Sequence, residues 1–337
     1  MTRFLVAMLL VLGLAACAPR LQSSTIPPGT QPAPPALLEK DWRAADGSLL
    51  PLTRWLPPAP HETRAVLIAL HGFNDYGNAF AEPAAWWAAE HGIATYAPDQ
   101  RGFGRSAHTG LWAGGHRMRS DLRELTSLLR QRHPGLPVFW LGESMGAAVT
   151  LSALAEGGDS SPPDGAILVA PAVWGRATMP LSYRVTLSIM SHTLPWLTLT
   201  GRGLGIQASD NIQMLRRLGA DPLVIKATRV DAVYGLVGLM DEALAAAPRL
   251  GHAPPLLLLY GAKDEVIRRE PVERFVASLN SRRRIVLYDT GWHMLLRDLQ
   301  GQRVWRDVAA WVADRNAPLP SGRETFTLPL FAKERGE

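Results

Sequence analysis

The chain of 337 residues is 47% hydrophobic and 19% charged, which excludes an intrinsically disordered protein and is enough for one large domain with a buried core. The formal net charge of +5 comes from basic residues that are scattered, apart from the run Arg282, Arg283 and Arg284. No basic stripe interleaved with aromatic residues occurs, so the sequence argues against a nucleic-acid partner.

The first residues have the pattern of an export signal. Arg3 precedes an apolar run over 4–16 that is too short to span a bilayer and ends in small residues. Its end, Leu14-Ala15-Ala16-Cys17, resembles the lipobox of bacterial lipoproteins, in which the cysteine becomes the first residue and carries lipid. We therefore expect residues 1–16 to be a signal peptide and Cys17 to be acylated. A small buried residue within a membrane anchor, or a chance match, is the alternative for Cys17.

The same resemblance places the protein on a membrane. Ala18 rather than Asp after the cysteine favours the outer membrane, with the protein facing the periplasm. Cys17 is the only cysteine, so the exported domain is expected to contain no disulfide. Residues 17–37 then form a lipidated tether rich in Pro, Ser, Thr and Gln.

Strands and helices are predicted to alternate along most of the chain. Two strands joined at Asp46-Gly47 open the folded part, because Asp-Gly is a strong hairpin signal. Continuous apolar strands separated by helices indicate an α/β fold with a mostly parallel sheet covered on both faces. The strands are predicted over 41–44, 49–55, 65–70, 94–97, 138–141, 166–169, 256–260 and 285–288, and the helices over 80–91, 118–131, 147–156, 271–279 and 304–313.

The alternation stops between residues 172 and 250, where Leu, Met, Trp and Ala recur with helical character. This segment is predicted to be an inserted helical cap between two parts of the core, 38–171 and 251–316. Residues 317–337 are expected to form a loosely attached tail.

The strongest chemical signal is Gly142-Glu143-Ser144-Met145-Gly146, placed between a predicted strand and a predicted helix. This G-x-S-x-G pattern is typical of α/β-hydrolases, in which the glycines permit a strained turn that lifts the serine above the sheet edge. A chance match in a glycine-rich loop is the alternative, and the flanking elements argue against it. Ser144 is therefore the predicted nucleophile.

A serine nucleophile needs a base and a group that orients the base, and in this fold they follow in the order serine, acid, histidine. His293 is the predicted base and Asp264 the predicted acid, each just beyond a predicted strand. Asp289 and Asp298 are rival acids. Asp289 is disfavoured because it follows its strand too near His293.

The tetrahedral intermediate needs two amide donors. One is expected from Met145, which follows the nucleophile, and the other from Phe73 in the loop after the strand over 65–70. His71 in the same loop precedes the serine, so it is expected to order the loop rather than act as the base.

Further motifs carry a resemblance to one family, over residues 40–315. The run from Asp99 to Ser106 resembles the D-x-R-G-x-G-x-S loop of the monoacylglycerol lipase and lysophospholipase group, which is also classed with serine aminopeptidases. His71-Gly72, the Ser144 motif, Gly261-x-x-Asp264 and Gly291-x-His293 follow in that family's order. Within the loop, Asp99 and Arg101 are expected to pin the backbone rather than touch substrate.

The resemblance implies a serine carboxylester hydrolase that cleaves monoacylglycerol or lysophospholipid through an acyl-enzyme intermediate, without metal or cofactor. The apolar cap is the expected acyl site. Phe73 and Glu143 depart from the residues common in relatives, which leaves the substrate open. An acyltransferase or aminopeptidase would use the same triad, and a non-catalytic envelope lipoprotein is the alternative from another class.

Overall fold

The computed structural model describes residues 18–23, 33–157, 161–201, 203 and 205–325. The expected signal peptide, Cys17 and residues 24–32 of the expected tether lie outside the described residues. Within the described ranges, none of the helices has both the length and the apolar content that crossing a membrane requires.

A ten-stranded sheet with the order β1-β2-β3-β5-β4-β6-β7-β10-β11-β12 forms the centre of the molecule. Strands β5, β4, β6, β7, β10 and β11 are parallel, and antiparallel strands lie at both ends. The strands are β1 (Ala36–Leu37), β2 (Asp41–Arg43), β3 (Leu49–Trp55), β4 (Ala65–Leu70), β5 (Ile93–Pro98), β6 (Val138–Glu143), β7 (Gly165–Val169), β10 (Leu256–Gly261), β11 (Arg283–Tyr288) and β12 (Glu324–Thr325).

Helices cover both faces of this sheet, which confirms the predicted α/β-hydrolase architecture. Side chains alternate along each parallel strand, so Leu67 and Phe139 contribute to one core while Ile68 and Trp140 contribute to the other. The helices are α1 (Ala81–His91), α2 (Gly115–Arg132), α3 (Met145–Glu156), α4 (Leu181–Thr193), α5 (Ile212–Ala220), α6 (Val230–Ala246), α7 (Arg269–Ser278) and α8 (Gly301–Ala313), with 3-10 turns at Gly77–Phe80 and Ala247–His252.

The insertion after β7 is less uniformly helical than the sequence predicts. A two-stranded antiparallel sheet of β8 (Thr198–Thr200) and β9 (Ala227–Arg229) lies between its helices. Helix α6 is also predicted as cap, yet its Val237, Met240 and Ala243 are buried in the main core. Thus α6 belongs to the helical layer over the sheet, and the cap proper ends near Arg229.

Both ends of the described chain are attached to the body, unlike the tether and tail that the composition predicts. Gln22 is buried, and the backbone N–H of Gln22 donates to the Trp112 carbonyl at 3.0 Å. Strand β1 pairs with β2, so residues 36–37 belong to the sheet. At the other end Leu319 is buried in the core that α8 also contributes to, and β12 pairs with β11.

Candidate active site

Ser144 lies in the turn between β6 and α3, as the sequence predicts. Its backbone has φ 54° and ψ −112°, a conformation that non-glycine residues rarely adopt and that is found where function requires it. The turn is fixed on both sides, because the Ser144 N–H donates to the Val169 carbonyl at 2.9 Å and the Ser144 carbonyl accepts from Ala172 at 3.1 Å. The side chain is partly exposed at the carboxyl edge of the sheet.

The two glycines of the motif are required because neighbouring backbone segments lie too close to them for a side chain to fit. A Cβ atom at Gly142 would lie 2.4 Å from the Ala147 nitrogen, and one at Gly146 would lie 2.1 Å from the Leu70 carbonyl oxygen. Both distances are shorter than any van der Waals contact. The G-x-S-x-G spacing therefore packs α3 against the end of β4 while it exposes Ser144.

Asp264 and His293 form a hydrogen-bonded pair at the same edge of the sheet. The His293 Nδ1 lies 2.8 Å from Oδ2 of Asp264, and both side chains are buried. Oδ1 of Asp264 accepts from the backbone N–H groups of Val266 and Ile267 at 2.8 and 2.9 Å. This carboxylate therefore fixes the histidine tautomer with the proton on Nδ1 and leaves Nε2 as the acceptor.

The two rival acids are engaged elsewhere. Asp289 is more than half exposed and pairs with Arg323 at 2.6 Å. Asp298 accepts from the Ser209 hydroxyl at 2.6 Å and from the Trp292 N–H at 2.7 Å. Asp264 is thus the acid that contacts His293.

The Ser144 hydroxyl makes no hydrogen bond to any other described residue, including His293. In proteins without bound substrate such hydrogen bonds are often long or poorly aligned, and they tighten when the substrate complex forms. The loop after β4 closes the site from the other side: a Cβ atom at Gly72 would lie 3.3 Å from Cβ and 3.9 Å from Oγ of Ser144.

The backbone N–H groups of Phe73 and Met145, the predicted oxyanion donors, make no hydrogen bond within the described ranges of the chain. Phe73 is held by edge-on aromatic contacts, with ring centroids 5.5 Å from Phe103 and 6.3 Å from Trp112. Met145 is fully buried at the start of α3. Both amides therefore remain available to a substrate oxygen beside Ser144.

His71 orders the loop that carries Phe73. Its Nδ1 lies 2.8 Å from the Gly72 carbonyl oxygen, and its Nε2 accepts from the Gln100 N–H at 2.9 Å. Burial lowers the pKa of His71, which keeps the imidazole neutral. With both ring nitrogens occupied, His71 is not available as a base.

Asp99 and Arg101 pin the glycine-rich loop, as the sequence predicts. Asp99 is fully buried and accepts from the backbone and side chain of Arg105 at 2.9 and 2.8 Å. Arg101 pairs with Asp46 at 2.6 Å and with Asp121 at 2.7 Å. These bonds fix the loop against β2, β3 and α2, and neither residue is hydrogen-bonded to Asp264 or His293.

One buried ion cluster beside the site escapes prediction from the sequence. Arg297 lies four residues after His293, and its Nη1 and Nη2 contact Asp75 Oδ2 at 2.7 Å and Glu143 Oε2 at 3.1 Å. The carboxylates of Asp75 and Glu143 are buried, and 11% of the Arg297 side chain is exposed. The cluster thereby joins the loop after β4, the Ser144 turn and the His293 loop, and the only advance signal was the unusual Glu143 beside the nucleophile.

The charges of this cluster act on the base. Burial alone lowers the pKa of His293, but the Asp264 carboxylate and, to a lesser degree, Glu143 raise it, and the net direction is upward from the usual value. Arg297 opposes this rise. Burial raises the pKa of Glu143, while Arg297 lowers it. The cluster therefore modulates the proton affinity of His293 without contacting it.

The loops that carry Asp264 and His293 pack backbone to backbone. A Cβ atom at Gly261 would lie 2.5 Å from the carbonyl oxygens of both Gly291 and Trp292. The Lys263 N–H also donates to the Gly291 carbonyl at 2.9 Å. The distance between acid and base is thus set by the main chain.

The end of the cap is bonded to the loop after His293. The Met294 N–H donates to the Ala208 carbonyl at 2.9 Å, and the Asn211 side chain donates to the Arg297 carbonyl at 3.0 Å. The Leu299 N–H donates to Asp210 Oδ1 at 2.8 Å, and Ser209 bonds to Asp298. Residues 208–211 are therefore structurally continuous with the catalytic edge.

A cavity of about 290 Å³ with both charged and apolar side chains in its wall lies between the loop after β4 and helix α5. Two members of the ion cluster, Asp75 and Arg297, form part of its wall. Across the cavity the Tyr76 hydroxyl donates to Asp221 at 2.7 Å. The lining also includes Asn78, Ala79, Ala81, Glu82, Met214, Arg217 and Leu218.

The chain matches the family model described as serine aminopeptidase S33 (Hydrolase_4) over residues 61–300. It is 24% identical to the human monoglyceride lipase over 279 residues, which are 81% of this chain and 89% of the relative. It is 26% identical to the monoacylglycerol lipase of Mycolicibacterium smegmatis over 275 residues, 77% of this chain and 90% of the relative.

Solved structures share the fold. A soluble variant of the Saccharomyces cerevisiae monoglyceride lipase aligns with a TM-score of 0.67 and 18% identity, covering 93% of this chain and all of that one. The monoacylglycerol lipase of Paleococcus ferrophilus aligns with a TM-score of 0.63 and 19% identity, covering 78% and 98%. The fold and the family predicted from the motifs are confirmed: the chain belongs to the serine aminopeptidase S33 family of α/β-hydrolases.

Proposed function

We propose that the protein is a serine carboxylester hydrolase that cleaves lipids with one acyl chain, with monoacylglycerol as the preferred class. The observation that carries this proposal is the buried His293–Asp264 hydrogen bond at the sheet edge that also presents Ser144. The names of the human and mycobacterial relatives support monoacylglycerol as substrate.

In the proposed reaction Nε2 of His293 takes the proton of Ser144 as its Oγ attacks the ester carbonyl. Asp264 stabilises the resulting imidazolium through Nδ1. The amides of Met145 and Phe73 donate to the oxyanion of the tetrahedral intermediate. When this intermediate collapses, the His293 proton passes to the departing alcohol, and a water molecule then hydrolyses the acyl-enzyme by the same steps.

The surroundings of the site fit an amphiphilic ester. Neither Ser144 nor His293 lines the cavity, which adjoins the ion cluster through Asp75 and Arg297. The charged groups in its wall suit the hydroxyl groups of an alcohol better than an acyl chain. The acyl chain is assigned to the apolar cap, where burial of each CH₂ contributes about 0.8 kcal/mol. Lysophospholipid is the second substrate to compare.

Product analysis with monoacylglycerol, lysophospholipid and a short peptide tests the substrate class. We expect release of fatty acid from monoacylglycerol, and loss of this activity together with fluorophosphonate labelling in Ser144→Ala. Ser182→Ala, an exposed serine of the cap, is the control and should retain both. Full activity in Ser144→Ala would refute the mechanism, and cleavage of only the peptide would refute the substrate class. A wild-type protein that resists labelling would favour the non-catalytic alternative.

We also propose that the protein is an exported lipoprotein acylated at Cys17 and attached to the outer membrane on its periplasmic side. The lipobox-like Leu14-Ala15-Ala16-Cys17 and the Ala18 that follows support this. Mass spectrometry of the mature N-terminal peptide should find Cys17 first and acylated, and Cys17→Ser should abolish processing. An unmodified cysteine, or cleavage at another bond, would refute the anchor while leaving the esterase proposal intact.

A further inference from the structure

The segment that follows the proposed acylation site is docked on the body of the protein. Gln22 is only 7% exposed. Its side-chain Nε2 donates to the Leu111 carbonyl at 2.7 Å, and its backbone N–H donates to the Trp112 carbonyl at 3.0 Å. Its own carbonyl accepts from Arg117 Nη1 at 2.7 Å. Three hydrogen bonds thus hold one residue of the segment 18–23, which we call the strap.

The body provides a fitted place for the strap. Gly102 has φ +84°, and a Cβ atom there would lie 2.7 Å from Nε2 of Gln22 and 2.3 Å from the Leu111 carbonyl oxygen. The absence of a side chain at Gly102 therefore lets the Gln22 amide reach its acceptor. Leu21 adds a parallel β-bridge to Trp112.

The strap also contacts the first turn of α6, directly after the end of the cap. The Arg20 N–H lies 3.4 Å from Oδ2 of Asp231, a buried residue that also pairs with Arg229 at 2.5 Å. The Asp231 N–H in turn donates to the Pro195 carbonyl at 3.2 Å. The strap is therefore connected through Asp231 to the turn that carries Trp196, a side chain that is 53% exposed.

This part of the cap presents an apolar surface to solvent. On α4, Leu181, Val185 and Ile189 are 68%, 46% and 58% exposed, and their spacing of four residues places them on one face of the helix. Leu199 on β8 is exposed as well. We call this surface, together with Trp196, the apolar cap face. An exposed apolar area of this kind marks a protein or membrane contact.

The short chain between Cys17 and the strap favours a membrane contact over a protein contact for the apolar cap face. Cys17 precedes Arg20 by three residues, so its Cα lies within about 11 Å of the Cα of Arg20 even if the chain between them is fully extended. Acyl chains on Cys17 would therefore enter the bilayer close to Asp231 and Trp196. A free tether of twenty residues would leave the orientation open, whereas the docked strap fixes it.

We propose that the strap holds the lipid anchor beside the apolar cap face, so that this face rests on the bilayer to which the protein is attached. The proposal rests on acylation of Cys17. In this orientation the strap holds the enzyme close to the membrane with the cap facing the bilayer. A lipid with one acyl chain then reaches the cap directly from the bilayer.

Fluorescence quenching tests the orientation. The acylated full-length protein is reconstituted in vesicles of phosphatidylethanolamine and phosphatidylglycerol that contain nitroxide-labelled lipid. A fluorophore is attached to an introduced cysteine, in Val185→Cys on the apolar cap face or in Glu90→Cys on the exposed side of α1. We expect the cap label to be quenched several-fold more strongly. Equal quenching in vesicle-bound protein, or a cap label buried in a dimer, would overturn the proposal.

Gln22→Ala combined with Arg117→Ala tests the strap itself, with Ser23→Ala as the control. We expect the double variant to lose the excess quenching of the cap label, while vesicle binding and turnover of a soluble short-chain ester remain unchanged. Retained quenching would show that the strap does not orient the protein. A protein that fails to sediment with vesicles and lacks acyl groups on Cys17 would refute the anchor. The mass of the N-terminal peptide distinguishes this outcome from an anchored protein that the strap does not orient.

Limited proteolysis gives an independent readout of docking. Arg20 is the only lysine or arginine between Cys17 and Lys40, so tryptic cleavage after Arg20 releases a protein that begins at Leu21, and the mass of its N-terminal peptide distinguishes this cut from cleavage after Lys40 or farther along the chain. We expect slow release of the wild-type protein and release several-fold faster from the double variant. Equal rates would indicate that the strap is not docked in solution and would overturn the proposal.

Discussion

Asparagine in place of Asp264 would keep the shape of the acid but reverse its hydrogen bonding to the base. Oδ1 of Asp264 already accepts from the N–H groups of Val266 and Ile267, so the amide oxygen of an asparagine must occupy that position. Its NH₂ group then faces Nδ1 of His293, 2.8 Å away in the native pair. Nδ1 becomes an acceptor, the proton moves to Nε2, and the imidazole cannot take the proton of Ser144.

Loss of the correct tautomer in a serine triad reduces kcat by about 10⁴, which corresponds to about 5.4 kcal/mol of transition-state free energy. The assay is hydrolysis of a p-nitrophenyl ester at saturating substrate, with thermal unfolding measured in parallel. We expect Asp264→Asn to fold with a midpoint near that of the wild type. Asp289→Asn, which alters an exposed aspartate near His293, should stay within about twofold because surface changes rarely perturb a site.

A kcat for Asp264→Asn within tenfold of the wild type would refute the assignment of the acid. A large loss in Asp289→Asn would instead identify the rival aspartate. If Asp264→Asn also loses folding, the folded fraction is measured by circular dichroism at the assay temperature and kcat is expressed per folded molecule.

Three further predictions concern the surroundings of the triad. Glu143 raises the pKa of His293, so Glu143→Gln should move the acidic limb of the plot of kcat/KM against pH to lower pH. Glu90→Gln, at an exposed position, is the control and should leave this limb in place. An acidic limb that stays in place or moves to higher pH in Glu143→Gln would contradict the charge effect. Arg297→Met would leave two buried carboxylates without a partner, so the free energy of unfolding measured in urea should fall by about 3–5 kcal/mol. A fall of less than about 1 kcal/mol would contradict the stabilising role of the cluster. Gly261→Ala should force apart the loops that carry Asp264 and His293, so kcat for ester hydrolysis should fall while KM changes little. Wild-type kinetics in this variant would contradict the close approach of the two loops.

Much of the sheet could be predicted from the sequence because its strands are continuous apolar runs. The strand predicted over 65–70 is observed as Ala65–Leu70, and the one over 256–260 as Leu256–Gly261. Buried parallel strands need no polar alternation, so their limits coincide with the limits of the apolar runs. The positions of Ser144, Asp264 and His293 just beyond the ends of strands could be predicted from the same pattern, while their catalytic roles stay predictions.

The remaining features depend on contacts between distant parts of the chain. The β8–β9 pair is short and has no hydrophobic period of its own, so the cap was predicted as helical. The contact of Arg297 with Asp75 joins residues more than two hundred positions apart, and no local pattern indicates it. The strap and β12 lie in polar segments whose composition indicates a tether or a tail, yet their hydrogen bonds with the body hold them in place.

The hydrogen bonds between residues 208–211 and the loop after His293 have a consequence for engineering the protein. They divide the insertion into an outer part, from α4 to β8, and an inner part that is hydrogen-bonded to the loop after His293. A chimera that exchanges the whole insertion would remove the partners of Met294 and Leu299 and disturb the histidine loop. Exchange limited to residues 181–200 keeps those partners, so the outer part is the segment that can be replaced without disturbing the loop that carries His293.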